Sequence, residues 1–322
     1  MFQRSILALV CVLLASAGDF ANAQSFPIKP VQMVAPFAPG GALDLIARSL
    51  AKEMGQLWGH SVIVENKAGA AGIIGTQHVA RSAPDGYTIV LGATTTHGIN
   101  PSLYKKLPYD AVDDFVPVSL VASIPHVLVV NPALPVSTLN EFIRYAKSAS
   151  TGLTFGSAGI GSPHHLAGEL LKTGMQTSMV HVPYKGAGPA MAAVLSGEIN
   201  FMSIEITAAL PHIRSGKLKP IALASRQRLS GLDVPTFAES GMPGFELTSW
   251  YAIYAPKGTP ASIVARLNAG VVKAIGTKEV NEKLTSLGAV PLGSTSEELA
   301  AYTKAEINRW ALAVKVSGAS AD

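Results

Sequence analysis

Short apolar runs alternate with segments of helical periodicity along most of the chain. Runs typical of strands occupy residues 31–35, 61–65 and 87–91. Between the first two, residues 42–57 place their apolar side chains three or four positions apart, as one buried face of a helix does. Strands that alternate with helices build a mostly parallel sheet covered by helices. The pattern therefore predicts an α/β fold.

Two helix starts near the C-terminus have recognisable caps. Thr259 is predicted to cap a helix with Pro260 at its first position. Thr295 and Glu298 have the spacing of a capping box. The helix after Thr295 is expected to bury one face that contains Leu299, Tyr302, Ile307, Trp310 and Val314.

The length of 322 residues exceeds the usual size of one hydrophobic core and predicts two domains. Proline-bearing extended segments at residues 125–132 and 247–257 are the expected crossings between them. We therefore predict a two-stranded hinge, a discontinuous first domain of residues 24–125 plus 249–322, and a second domain of residues 126–248.

The first 23 residues have the features of a cleavable signal peptide. Arg4 precedes an apolar run at residues 6–17, and Ala21 and Ala23 supply the small residues before a cut after position 23. The chain is therefore expected to be exported. Cys11, the single cysteine, lies in the removed segment, so the mature protein is expected to have no disulfide and no thiolate metal site.

The composition and net charge indicate which classes of binding partner are compatible with the chain. Hydrophobic residues make up 48% and charged residues 14% of the chain, which is typical of a folded globule. The net charge of +4 comes without any Lys/Arg block interleaved with aromatics, so nucleic acid is not an expected partner. The basic excess is compatible with anionic small molecules, and equally with a role in solubility alone.

Two glycine-rich loops each follow a predicted strand and precede a predicted helix. The first has the sequence PFAPGGALD at residues 36–44, and the second, SAGIGSPHH at residues 157–165, has Ser162 as a predicted N-cap and Pro163 in the first turn. Free amides at such helix starts favour an anion. Facing each other across a hinge, the loops would form an interdomain ligand cleft. The alternative is that they only make tight turns.

Other candidate groups have competing interpretations. The hydroxyls of Thr94, Thr95 and Thr96 follow a strand and could bind a ligand or cap the next turn. Tyr184 could wall the cleft. Asp44, four residues before Arg48, could order the loop or a bound water, and His165 is more typical of a hydrogen-bonded structural group than of a ligand.

Signatures of enzymes are weak or absent. The stretch at residues 156–159 lacks the spacing of a nucleophile elbow, and Gly69, Gly72 and Gly75 only loosely resemble a dinucleotide fingerprint. His164, His165 and His181 lack the spacing and companion ligands of a metal site. We therefore expect no catalytic activity, no cofactor and no metal.

Several ordered motifs resemble one family. KPVQMVAPFAPGGALDLIAR, VENKAGAAGIIG, APDGYTIVLG, NPSLYKKLPYD, GSAGIGSPHHLA, HVPYKGAGPA and APKGTP, in this order, are similar to the Bug or TctC-like substrate-binding proteins of tripartite tricarboxylate transporters. The resemblance runs from about residue 26 to the C-terminus. It implies a two-domain periplasmic binding protein fold of type II, which captures a small organic acid in its cleft and delivers it to a membrane permease.

The resemblance also implies site residues. In that family, backbone amides and bridging waters of the two glycine-rich loops hold a carboxylate. The ligand-binding residues expected here are Phe37, Ala38, Gly40, Gly41, Asp44, Thr94, Thr95, Thr96, Ser157, Ala158, Gly159, Gly161, His165, Tyr184, Ile204 and Glu205.

Ile204 and Glu205 stand where relatives commonly carry an Asp-Asn-like pair. Ile204 would favour an apolar ligand body. Glu205 pointing inward would require a cationic or hydroxyl group on the ligand, because a buried unpaired charge is costly. A Glu205 that points to solvent at a helix start is the slightly favoured alternative.

The expected function is therefore capture of a small mono- or dicarboxylate, amino acids and aromatic acids included, for a tripartite tricarboxylate-type permease. A monomer is the default for a carrier that must dock on a permease. A periplasmic adaptor of the same fold that signals to a membrane receptor is the alternative, and a secreted hydrolase or oxidoreductase is a more distant one.

Overall fold

The computed structural model describes residues 26–149, 152–229 and 231–321. The predicted signal peptide, residues 1–23, and Cys11 within it lie outside this part of the chain. None of the helices in the described part combines the length and the apolar character that a membrane span requires.

Strands and helices alternate through much of the chain, as the apolar pattern predicts. The strands are β1 (Val31–Ala35), β2 (Val62–Asn66), β3 (Thr88–Ala93), β4 (Phe115–Val130), β5 (Leu153–Ser157), β6 (Met179–Pro183), β7 (Phe201–Glu205), β8 (Lys219–Leu223), β9 (Thr248–Pro256) and β10 (Val290–Pro291). The helices are α1 (Ala42–Trp58), α2 (Ile73–Ala80), α3 (Asn100–Leu103), α4 (Leu139–Ser148), α5 (Pro163–Met175), α6 (Ala187–Ser196), α7 (Ile206–Arg214), α8 (Ala261–Gly276), α9 (Lys278–Ser286) and α10 (Ser296–Ser317). A 3₁₀ turn at Ala70–Gly72 and a π-helical turn at Thr94–Ile99 complete the set.

The strands form two groups that share β4. Their order is β2-β1-β3-β9-β4-β7-β5-β6, with β8 and β10 also paired to β4. In one group β1 runs parallel to β2 and β3, and in the other β5 runs parallel to β6 and β7. Each group therefore has the parallel core of an α/β domain, and the α/β two-domain fold expected from the sequence is confirmed.

The connection between the groups runs through β4 and β9. Residues 115–125 of β4 pair with β9, whereas residues 126–130 pair with β7 and β8. Pro125, at this change of partner, has no N–H to donate to a neighbouring strand. The segments expected as crossings, 125–132 and 247–257, therefore overlap two adjoining strands, while the domain boundaries themselves stay a prediction.

Local sequence signals agree with the structure in most places. β1 occupies the predicted residues, and α1 covers the predicted helix with one residue more. The capping box is confirmed, because Thr295 Oγ1 accepts from Glu298 N at 3.1 Å and Glu298 Oε2 accepts from Thr295 N at 2.9 Å.

The predicted cap at Thr259 is wrong. Pro260, with φ −56° and ψ 141°, occupies the cap position, and α8 begins at Ala261. The Thr259 hydroxyl instead donates to the Pro256 carbonyl at 2.7 Å. The proline is extended and is therefore the last residue before the helix, one position later than expected.

The C-terminal helix α10 packs against the cores of both strand groups. Leu299 lies in a cluster with Trp250 and Tyr254. Trp310, eleven positions later, packs in a cluster with Phe155 and others of the second group. The predicted face is only partly right, since Tyr302 and Ile307 are half-buried, while the buried stripe also contains the polar side chains of Thr303 and Glu306.

Candidate functional site

A cavity of about 600 Å³ lies between the two groups of strands. On the first group's side it is lined by Phe37, Ala38 and the start of α1, and by residues 93–95 after β3. On the second group's side it is lined by His164, Ala187 and Glu205. Residues 249–251 of β9 also line it. This is the position expected for a ligand cleft in open α/β folds, at the carboxyl ends of parallel strands.

Four helices begin at this cavity. The first residues of α1, α5, α6 and α7 contribute to its lining. The cap residues of α1, α6 and α7, which are Gly41, Gly186 and Glu205, form no side-chain hydrogen bond to their helix. The first amides of these helices therefore keep their N–H groups free, and the helix dipoles place partial positive charge beside the cavity. The arrangement favours an anion.

Asp44 holds the first glycine-rich loop rather than facing the cavity. Its carboxylate accepts from Gly40 N at 3.0 Å, from Asn66 Nδ2 at 2.9 Å and from Arg48 Nε at 3.0 Å. Burial alone would raise the pKa of Asp44, but the hydrogen bonds from Arg48, Gly40 and Asn66 lower it below its ordinary value. The predicted ion pair with Arg48 is present, and the ionised carboxylate orders the loop in front of α1.

The three threonines after β3 divide between structural and cavity positions. Thr96 Oγ1 accepts from Ala93 N at 3.0 Å and so caps the π-helical turn. Thr94 Oγ1 accepts from Trp250 N at 2.7 Å, which connects β3 to β9 at the cavity. Thr94 and Thr95 line the cavity. Capping thus explains the role of the Thr96 hydroxyl. Thr95 lies at the cavity, and its contact with a ligand stays a prediction.

The glycine-containing part of the second loop, residues 157–161, lies outside the cavity lining. Two of its amides are already bonded, since Gly159 N donates to Ser157 Oγ at 3.0 Å and Gly161 N donates to His165 Nδ1 at 3.1 Å. Ser157 Oγ also lies 2.6 Å from His181 Nε2.

The remaining residues expected near this loop have structural contacts as well. Ala158 is half-buried beside Ser157, and the Tyr184 hydroxyl donates to Glu198 Oε1 at 2.8 Å. His165 stacks on His181 with ring centroids 3.9 Å apart. The structure thus places Pro163 and His164, rather than the preceding glycines, at the cavity, and a ligand role for residues 157–161, His165 and Tyr184 stays a prediction.

Glu205 points inward, so the favoured interpretation of a solvent-facing side chain is wrong. Its side chain is 19% exposed and lines the cavity. Oε2 lies 2.9 Å from His164 Nε2, and Oε1 accepts from Ser249 Oγ at 2.8 Å. The physical reason is that His164 of α5 and Ser249 of β9 form hydrogen bonds with the carboxylate, so its charge is not buried without partners. The sequence alone did not reveal these two partners.

A directed chain of hydrogen bonds ends at Glu205. His126 lies 3.4 Å from Ser203 Oγ through Nδ1 and 3.1 Å from Ser249 Oγ through Nε2. Because Ser249 donates to Glu205, its oxygen accepts from His126, and His126 Nδ1 accepts from Ser203. Burial lowers the pKa of His126, in agreement with this neutral tautomer.

The ionisation of Glu205 follows from these partners. Burial by itself would raise the pKa of Glu205, but interactions with His164 and His126 outweigh burial and hold the pKa well below its ordinary value. Glu205 is also the cap residue immediately before α7, where the helix dipole favours negative charge. The cavity therefore contains an ionised carboxylate near neutral pH.

Ile204, expected to contact an apolar ligand body, is fully buried in the main core and pairs with Val127 of β4. It lies outside the cavity lining, because successive side chains of a strand point to opposite faces. The apolar surface of the cavity comes instead from Phe37, Leu43 and Trp250, among others.

Among the described residues, no group of three or more His, Cys, Asp or Glu side chains could hold a metal ion. His126, His164 and Glu205 are thus a hydrogen-bonded cluster, and His164 and His165 point to different partners.

Comparison with known proteins identifies the family. Residues 46–318 match the family described as the tripartite tricarboxylate transporter family receptor, TctC. Protein BugT of Bordetella pertussis is 39% identical over 325 aligned residues, which cover 99% of both chains. The chain belongs to the TctC receptor family. Membership makes it a receptor-type solute-binding protein rather than a member of an enzyme family.

Two solved TctC-like structures carry carboxylates. R. palustris Rpa4515 with adipate is 34% identical, with a TM-score of 0.80 over 92% of this chain and 99% of that one. MatC from Rhodopseudomonas palustris with bound malate is 37% identical, with a TM-score of 0.77 over 90% of this chain and 100% of that one. The periplasmic binding protein BugD is 37% identical, with a TM-score of 0.78 over 92% of this chain and 99% of that one, so this receptor has the fold of periplasmic binding proteins, as the motifs had implied.

Sequence reasoning missed several lining residues of the receptor. Ser249, Trp250 and Tyr251 lie on β9, and Leu287 follows α9. The segment that contains β9 was recognised as a crossing, and crossing strands border the cleft of a two-domain binding protein, so this signal could have identified them. Ala187 could have been found as the first helical residue after a glycine.

Proposed function

We propose that this protein captures a small organic carboxylate in the cavity between its domains and delivers it to a tripartite tricarboxylate-type membrane transporter. The observation that carries the proposal is the set of helix starts at the cavity. Three of these helices have no side-chain cap, so their first amides can bind an anion. The described residues of the lining include no Lys or Arg that could bind the anion in place of these amides. A carboxylate accepting backbone N–H groups forms charge-assisted hydrogen bonds, which are stronger than neutral ones.

The related structures support this class of ligand. Adipate and malate, found with Rpa4515 and MatC, are both small organic acids. In this chain the proposed contacts are the amides at the start of α1, the hydroxyl of Thr95 and the starts of α6 and α7. The glycine-rich loop at residues 157–161 contributes only if domain closure brings it to the ligand.

The proposal also covers the export of the protein and the relative motion of its two domains. The signal peptide at residues 1–23 would direct export to the periplasm, where the mature chain meets its ligand. Closure would occur by rotation about β4 and β9, because a ligand that contacts both domains binds the closed state better than the open one.

A binding screen tests the proposal. Mature protein is titrated by calorimetry and thermal shift with mono- and dicarboxylates, amino acids, and the primary amides of the same acids as neutral controls. We expect stoichiometric binding of at least one carboxylate, with a rise in melting temperature that follows occupancy. Binding of neutral amides with the affinity of their acids, or of no carboxylate at all, would contradict the proposal.

A further inference from the structure

The proposed function leaves open which carboxylates are accepted, and Glu205 bears on that question. It is the only carboxylate among the described residues that line the cavity, and no Lys or Arg accompanies it there. The cavity therefore has two chemically different regions. The first domain's side has the free amides of α1 and the hydroxyl of Thr95, with no carboxylate, whereas the second domain's side combines the free amides of α6 and α7 with the ionised carboxylate of Glu205.

Glu205 can accept further hydrogen bonds from a ligand. Each carboxylate oxygen has two lone pairs, and the hydrogen bonds with His164 and Ser249 occupy one lone pair on each oxygen. The remaining exposure of the side chain, 19%, is at the cavity. Because the chain from Ser203 through His126 and Ser249 donates toward it, the carboxylate is fixed in place and oriented before a ligand arrives.

The histidine beside Glu205 does not supply a compensating donor to the ligand. His164 Nε2 lies 2.9 Å from Glu205 Oε2, so this ring nitrogen is already bonded to the carboxylate. Its other nitrogen, Nδ1, is buried and has no partner among the described residues. Neither ring nitrogen of His164 is therefore available to donate to a ligand in the cavity.

A second carboxylate on a ligand would face Glu205 with no Lys or Arg of the described lining between them. Like charges at close range in a partly buried site repel each other strongly. An ammonium or hydroxyl group in the same place would donate a charge-assisted hydrogen bond. Tyr251 adds only a further donor, since burial and the charge of Glu205 raise the pKa of its phenol.

Resting on the proposed function, we propose that this cavity selects a carboxylate ligand that carries an ammonium or hydroxyl group at a second position, bound by Glu205, and disfavours a dicarboxylate.

Matched ligand sets test this inference. Each set shares one carbon skeleton and combines an amino acid, a hydroxy acid and a diacid, such as 6-aminohexanoate, 6-hydroxyhexanoate and adipate. Sets with three to eight carbons are measured by calorimetry at pH 7.5 and constant ionic strength, together with 4-aminomethylbenzoate, 4-hydroxybenzoate and terephthalate. In the best-binding set, the amino or hydroxy acid should bind about tenfold tighter than the diacid, or more.

Glu205→Gln provides the second arm, because glutamine keeps the shape and removes the charge. We expect the variant to lose affinity for the amino acid by about tenfold and to bind the diacid as well as or better than the wild type does. Glu282→Gln, which removes an exposed carboxylate of α9 outside the cavity, should keep the wild-type ratios.

The outcomes separate the two proposals. A diacid that binds the wild type as tightly as its amino and hydroxy counterparts overturns the inference and leaves the proposed function intact. An unchanged ratio in Glu205→Gln also overturns it. Failure of every carboxylate in all sets overturns both. The wild-type ratio requires no variant, so poor folding of Glu205→Gln still leaves a decisive measurement.

Discussion

At the scale of single residues, His97 is a buried base whose proton affinity couples to stability. Its ring stacks on Tyr254 with centroids 4.0 Å apart, and Nδ1 lies 2.9 Å from Thr96 Oγ1. Burial lowers the pKa of His97 from 6.5 to about 3. The unfolded chain therefore binds a proton at this histidine below about pH 6.5, where the folded chain does not.

His97 should contribute to acid sensitivity in a defined pH window. Its stabilising effect is complete above the unfolded pKa and is lost as pH falls from 6.5 toward 3, at a rate of about 1.4 kcal/mol per pH unit. His97→Phe, which retains an aromatic ring, should lower the free energy of unfolding at neutral pH but reduce its dependence on pH between 6 and 4. Urea denaturation across this window measures both quantities.

The control is the same exchange at His78, an exposed histidine of α2. His78→Phe should follow the pH dependence of the wild type. Parallel curves for His97→Phe and the wild type between pH 6 and 4 would show that His97 does not titrate on unfolding as its burial requires.

The residues of the candidate site were predictable to different degrees. Phe37, Ala38 and Gly41 were accessible from sequence because a glycine-rich turn before a helix is a local pattern. The orientation of Glu205 was not, since its partners His164 and Ser249 come from distant parts of the chain and only the tertiary fold brings them together. Thr96 was ambiguous because one hydroxyl can cap a turn or bind a ligand, and only coordinates distinguish these roles.

At the scale of elements, the start of α1 offers a direct test of the free amides. Ala42 is the first helical residue, and its cap Gly41 has φ −78° and ψ 171°, a conformation that suits the residue before a proline. Proline is well tolerated at this helix position and has no N–H. Ala42→Pro therefore removes one amide donor at the cavity while retaining the helix.

Ala42→Pro should weaken carboxylate binding with little change in melting temperature. A hydrogen bond to a charged group contributes about 1.5–3 kcal/mol, so the affinity should fall roughly 10- to 100-fold, as measured by calorimetry with the carboxylate that binds best in the screen. Ala261→Pro is the matched control, because it makes the same exchange at the first residue of α8, outside the cavity, after an extended cap. Equal affinities for the two variants would remove the start of α1 from the site.

The elements themselves were largely predictable, for physical reasons that differ along the chain. α1 and β1 follow from apolar periodicity alone, and α10 begins where its capping box predicts. The predicted start of α8 is one position too early because threonine and proline are both favourable near helix starts. Only the backbone geometry shows that Pro260, rather than Thr259, is the cap residue. The length of β4 was not predicted, since its two halves pair with different strands.

At the scale of the whole molecule, α10 constrains how the domains can move. Glu306 Oε2 accepts from Trp250 Nε1 at 2.8 Å and from Trp310 Nε1 at 3.0 Å, and so connects β9 with the buried face of α10. A rigid helix packed in two cores cannot lie far from the axis about which these cores rotate. Closure should therefore preserve this Trp–Glu–Trp contact and move the cavity walls most.

The resulting prediction is that a bound carboxylate makes the protein smaller. The starts of α1 and α6 belong to different sides of the cavity, so a ligand that contacts both is stabilised by closure. Small-angle X-ray scattering should show a lower radius of gyration with the best carboxylate of the screen, and no change with its primary amide at the same concentration. Stoichiometric binding of the acid with unchanged scattering would contradict the hinge, because the ligand would then occupy a cavity that needs no domain motion to hold it.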